Sequence, residues 1–207
     1  MPPTCDAVMF DLLTALVDSW SLWDELAGDS DLGRRWRMHY LELSYATTRY
    51  RPYLSLVAES AAASGLAESA ADAMSARWGE LQPWPEAPGI VSALAAKRRV
   101  AVATNCSEAL GRNAARRVSA HFDVVVTAER AGCYKPDPGI YGLALDELGA
   151  PAERVLFVAG SPYDVCGASA LGMPVYWHNR IGLEHARAES LAVAVRADLH
   201  GLEALVS

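Results

Sequence analysis

Five short strand candidates, residues 7–10, 100–103, 123–126, 155–158 and 175–177, limit what this chain can fold into. Each is built on a continuous apolar run rather than an alternating one, the pattern of strands buried on both faces. From residue 90 onward they alternate with helical stretches, including 90–96, 107–118 and 139–148, and another after Tyr163. Strands alternating with helices of about this length specify an α/β fold with a parallel, doubly wound sheet.

One interval breaks the alternation. After Asp18 the pattern is helical for about seventy residues. Ser19 or Ser21 is placed to cap a first helix carrying Trp20, Leu22, Trp23 and Leu26, and Asp31 a longer one through Trp36, Tyr40, Leu41 and Tyr45. Pro52 interrupts, and helices over 54–63 and 66–78 follow. Four of the six tryptophans fall here, enough for a small core of its own. The proline-dense stretch 82–89 reads as the return linker. The expected division is a sheet domain of residues 1–17 and 84–207, with a helical module, 18–83, inserted after the first strand.

With 207 residues, the chain has length for one substantial core and one small insertion. Its formal charge of −7 gives no basic footprint for nucleic acid, and Arg34, Arg35 and Arg37 are confined to one helical stretch. No signal-peptide pattern and no membrane-length apolar run is visible, so a cytoplasmic protein is expected. Cys5, Cys106, Cys133 and Cys166 are scattered, and the five histidines share no ligand spacing. Cys106 and the histidines read as packing or surface residues.

Polar residues stand where successive strands stop: Asp11, then Thr104 and Asn105, then Asp164. Lys135 joins them from a loop stiffened by Pro136 and Pro138. In a parallel sheet these share the carboxyl edge, where α/β folds place ligands. Each also has an ordinary reading. Thr104 and Asn105 can cap the next helix, Asp164 suits a helix first turn, and Lys135 and Arg37 suit the surface.

In this order the residues resemble the motifs of the haloacid dehalogenase (HAD) superfamily, over essentially the whole chain. Phe10-Asp11 matches the first motif, Thr104 the second, Lys135 the third and Asp164 the fourth; the helical insertion is similar to the family's cap. Superfamily phosphatases carry an acid/base Asp two residues after the nucleophile and a further Asp in the fourth motif. Here those positions are Leu13 and Gly160. Leu13 cannot protonate a leaving group, and two carboxylates are few for Mg²⁺.

The metal-independent L-2-haloacid dehalogenases (type II) are the nearer resemblance. Trp36-Arg37 through Leu41-Glu42 is similar to their cap helix, Tyr134 through Tyr141 to their third motif, and Trp177-His178-Asn179-Arg180 to a later segment. The resemblance implies Asp11, Lys135 and Asp164 in the chemistry. Arg37, Thr104, Asn105, Tyr141 and Ser161 are then assigned to substrate and leaving halide, with no metal or cofactor. It also implies a small-acid substrate and a homodimer. The chain departs from that branch at Leu13 (Tyr there), Thr14-Ala15 (Gly-Thr), Ala159 (Ser) and Ser161 (Asn), so polar groups expected to orient nucleophile and water are missing or shortened. A Mg²⁺-dependent small-molecule phosphatase and a degenerate HAD binding protein are the alternatives.

Overall fold

A computed structural model describes residues 5–206. β1 (Ala7–Phe10) is wholly buried, and the chain then makes a short strand β2 (Val17–Asp18). Four helices follow: α1 (Ser19–Ala27), α2 (Ser30–Ala46), α3 (Tyr53–Ala63) and α4 (Ala70–Arg77). β3 (Gln82–Pro83) pairs antiparallel with β2, Val17 opposite Pro83, so the outgoing and returning chains are tied together. The rest alternates: α5 (Ala87–Ala95), β4 (Arg99–Thr104), α6 (Glu108–Arg117), β5 (Val124–Thr127), α7 (Ala128–Ala131), α8 (Pro138–Leu148), β6 (Val155–Ala159), α9 (Pro162–Ala170), β7 (Val175–His178), α10 (Ala186–Leu191), β8 (Ala194–Arg196) and α11 (Leu202–Leu205).

Six parallel strands form one sheet in the order β5-β4-β1-β6-β7-β8, the α/β architecture expected from the alternation. The chain builds outward from β1 through β4 and β5, then returns to the other side of β1 for the remaining strands. Phe10 is in register with Val102 and Val158. Asp11 therefore emerges at the carboxyl end of the strand where the winding reverses, the place such sheets leave a crevice.

The helical block has an aromatic core. Trp23 meets Trp36 at 4.4 Å between ring centroids, and the contacts run on through Tyr40 and Tyr53 to Trp78. Edge-on packing of this kind adds about 0.5–1.5 kcal/mol per pair beyond area burial. Hydrogen bonds seat the block over the carboxyl edge: Tyr40 Oη donates to Asn105 O at 2.9 Å, and Tyr134 Oη to Arg51 O at 2.8 Å.

Several local expectations need correction. Asp18, not Ser19 or Ser21, caps α1, and Asp29 rather than Asp31 caps α2. The Asp29 carboxylate reaches Leu32 N at 2.8 Å, one turn ahead, as an N-cap requires. The helix expected over 66–78 begins only at Ala70. β8, α7, α10 and α11 are too short and too exposed to leave a periodic pattern. No helix among the described residues is long and apolar enough to cross a membrane.

Candidate active site

Asp11 is held from both directions. Its backbone N–H continues the sheet, donating to Val158 O at 2.9 Å. Its Oδ2 accepts from Thr14 Oγ1 at 2.5 Å, Thr14 N at 3.1 Å and Ala15 N at 3.3 Å. Its Oδ1 pairs with Lys135 Nζ at 2.7 Å. Burial alone would raise the Asp11 pKa; the Lys135 charge and these hydrogen bonds overcome it and hold the carboxyl below its ordinary value. Asp11 is an anion.

Lys135 is 0 % exposed, so the surface reading fails. Asn105 pins its backbone with two bonds, accepting from Lys135 N at 2.6 Å and donating to Lys135 O at 3.1 Å. The ammonium reaches Asp164 Oδ1 at 3.0 Å as well as Asp11. Burial would lower its pKa, but the two carboxylates hold it raised and charged.

Asp164 lies in the first turn of α9, where the helix dipole favours an anion. Ser161 caps that helix, accepting from Asp164 N at 3.2 Å and donating to Asp164 Oδ2 at 3.1 Å. Tyr141 Oη adds a longer donation to Asp164 Oδ1, 3.4 Å. Gly167 allows this approach, since a Cβ there would stand 2.8 Å from both Tyr141 Oη and Pro136 Cβ. Burial, with the Asp11 charge adding to it, raises the Asp164 pKa. The pKa values of two carboxylates sharing one ammonium are thus pushed in opposite directions.

Facing Asp11 is a small, partly open cavity lined by Leu13, Arg37, Tyr40, Tyr45, Thr104 and Asn105 among others. Arg37 is 2 % exposed and has no carboxylate partner among the described residues. Its guanidinium lies over Trp20, Trp23 and Tyr40, closest to Trp23 at 4.9 Å, and its Nε and Nη1 have no hydrogen-bond acceptor. Thr104 Oγ1 is likewise buried and unpartnered. A buried cation normally requires pairing. Here both Arg37 and Thr104 line the cavity, a residue set that can accept an anion.

The donor set does not suit Mg²⁺. Both carboxylates are committed to Lys135, and no group of three acidic, histidine or cysteine side chains gathers among the described residues. Gly160 stands where a phosphatase carries its further Asp, yet a Cβ there would run into Thr14 Oγ1 and lie 2.6 Å from Ala15 N. Thr14 occupies that space. The hydroxyl that the first motif seemed to lack is therefore present, one residue earlier. Gly160→Ala should lower stability by about 1–3 kcal/mol by overpacking and dislodge Thr14; urea unfolding checks it.

The structure brings together all eight expected site residues. It adds Thr14 and Tyr45, whose Oη is 3.0 Å from Ser161 Oγ. Tyr45 had a signal: Arg37, Leu41, Ser44 and Tyr45 recur at helical spacing along one face of α2. His178, read as surface or packing, is buried and bonds Ala15 O.

A sequence model of haloacid dehalogenase-like hydrolases matches residues 31–172. The chain is 29% identical to haloacetate dehalogenase H-2 of Moraxella sp. (strain B), over 86% of this chain and 87% of that protein. It is 30% identical to an (S)-2-haloacid dehalogenase of Xanthobacter autotrophicus, over 96% of this chain and 84% of the other. Its fold matches the L-2-haloacid dehalogenase from Xanthobacter autotrophicus with chloropropionic acid covalently bound, at a TM-score of 0.82, 24% identity and 98% coverage of both chains. With these matches and a buried Asp11–Lys135–Asp164 cluster at the carboxyl edge of its sheet, the chain belongs to the haloacid dehalogenase-like hydrolases and is most similar to the 2-haloacid dehalogenases.

Proposed function

We propose that the protein is a metal-independent 2-haloacid dehalogenase acting on a small carboxylic acid. The observation that carries this is Arg37: a buried cation with unpartnered N–H groups, bordering the same small cavity as the Asp11 carboxylate. Asp11 attacks the carbon bearing the halogen. The carbon–halogen bond breaks with its electron pair, leaving halide and an ester of Asp11. Lys135 and Thr104 bind the substrate carboxylate, Arg37 and Asn105 the departing halide, and Tyr141 and Ser161 steady Asp164. Water, giving its proton to Asp164, then attacks the ester carbonyl, which collapses to the hydroxy acid and free Asp11.

The helical block, residues 18–83, acts as the cap that excludes bulk water. Desolvation strengthens every charge interaction inside. The free thiols of Cys106, Cys133 and Cys166 suit a reducing cytoplasm.

The test is halide release from haloacetate and from each enantiomer of 2-chloropropionate, with EDTA present and Asp11→Asn as control. Release by the wild type alone supports the reading. No release from any of them, with phosphate freed from phosphoesters only when Mg²⁺ is added, overturns it.

Arg37→Met separates function from structure. Losing a charged donor at the developing anion should lower kcat by about 10²–10³. Removing an unpaired buried charge should leave the thermal midpoint unchanged or raised. A variant that loses stability together with activity would show instead that the guanidinium holds the block together.

A further inference from the structure

The donors that hold Asp11 are themselves held. In a trans peptide the C=O of one residue and the N–H of the next point in opposite directions. The Leu13–Thr14 peptide gives its N–H to Asp11 Oδ2, and its carbonyl accepts from Ser19 Oγ on the opposite side. The Thr14–Ala15 peptide also gives its N–H to Asp11 Oδ2, and its carbonyl accepts from Trp84 Nε1 at 3.1 Å. The next carbonyl, Ala15 O, meets His178 Nδ1 at 2.8 Å, while Leu16 N closes the loop onto Leu12 O at 3.1 Å.

Ser19 and Trp84 are not scattered residues. Ser19 opens α1 immediately after β2, and Trp84 follows β3 immediately. They sit on the two connections through which the helical block leaves and rejoins the sheet, and both are buried. Trp84 is fixed further by its backbone N–H on Leu16 O at 2.9 Å and by Arg180, whose guanidinium lies 4.6 Å from its ring and pairs with Glu86 at 2.7 Å.

We propose that Ser19 and Trp84 are positioning residues for Asp11, each orienting one peptide N–H at its carboxylate, so that the seating of the helical block is coupled to alignment of the nucleophile. The catalytic part of this rests on the reading of Asp11 as nucleophile. The pairing is one to one: Ser19 governs the Thr14 amide, and Trp84 governs the Ala15 amide.

The test is Ser19→Ala and Trp84→Phe, read by amide hydrogen exchange in 15N-labelled protein and by halide-release kinetics. Ser19→Ala should speed exchange at Thr14 at least tenfold and leave Ala15 within threefold. Trp84→Phe, which keeps a ring but no N–H, should do the reverse. Each should lower kcat about tenfold with KM within twofold. Both amides responding equally to either change, neither responding, or the expected exchange with unchanged kcat in an active enzyme would each overturn the proposal. If the wild type releases no halide, the dehalogenase reading falls separately, and the exchange pattern still decides the positioning. If Trp84→Phe does not fold, the selective response of Thr14 to Ser19→Ala carries the test.

Discussion

Asp11→Asn should leave a folded protein that releases no measurable halide, with turnover lowered by about 10⁴–10⁶, the range seen when a nucleophile or its partner is deleted. The amide keeps the size of the carboxylate but carries no charge and no nucleophilic oxygen. Lys135 retains Asp164 as a partner at 3.0 Å, so the fold survives. The variant also reports on the second carboxylate. The Asp11 charge contributes to the raised Asp164 pKa, and removing it should let that value fall. Titration of the Asp164 carboxyl by 13C NMR measures this. A variant that still releases halide at a tenth of the wild-type rate would remove Asp11 from the role of nucleophile.

Lys135→Met should be damaging twice over. Without the ammonium, Asp11 and Asp164 are two buried carboxylates with no cation between them. Breaking a buried pair by deleting one partner costs about 3–5 kcal/mol. Activity should fall as well, because the burial that raises the Asp11 pKa is then no longer opposed by the Lys135 charge that favours the anion.

The pH dependence separates this from a packing defect. In the wild type the Asp11 pKa is lowered, so its contribution is present above the unfolded value of about 3.9 and is lost as pH falls through the folded value. The Lys135 pKa is raised, so its contribution is complete below about 10.4 and is lost only as pH rises through the folded value. In Lys135→Met both carboxyls lose the charge that lowers their pKa, so both should titrate higher. The deficit should therefore be largest at neutral pH and shrink on acidification, as both carboxyls are protonated in the fold. Urea unfolding at pH 7.5 and pH 5 checks it, and an equal deficit at both would assign the loss to packing.

The α/β fold, the interrupting helical block and the order of the polar residues were legible in the sequence because they depend on local pattern. Apolar runs form strands, helical spacing forms amphipathic faces, and a residue that ends a parallel strand has one edge to go to. Asp11, Thr104, Lys135 and Asp164 were readable for that reason. Element ends were less so. Asp29 and Asp31 are both good caps, and the choice between them depends on where α2 must start to pack against α1.

What one-dimensional pattern could not determine is protonation and orientation. Lys135 reads as a surface residue until the tertiary structure places two carboxylates within 3.0 Å of it. Thr14 reads as a misplaced family threonine until Gly160 is seen to leave it the space from which it reaches Asp11. Trp84 and His178, about 70 and 160 residues away, supply donors to the carbonyls behind the amides that hold Asp11. The sequence by itself determined which side chains stand at the carboxyl edge. Tertiary structure alone decided their charge states and the direction of each peptide dipole. Both depend on burial and on partners distant along the chain, and neither leaves a periodic trace in it.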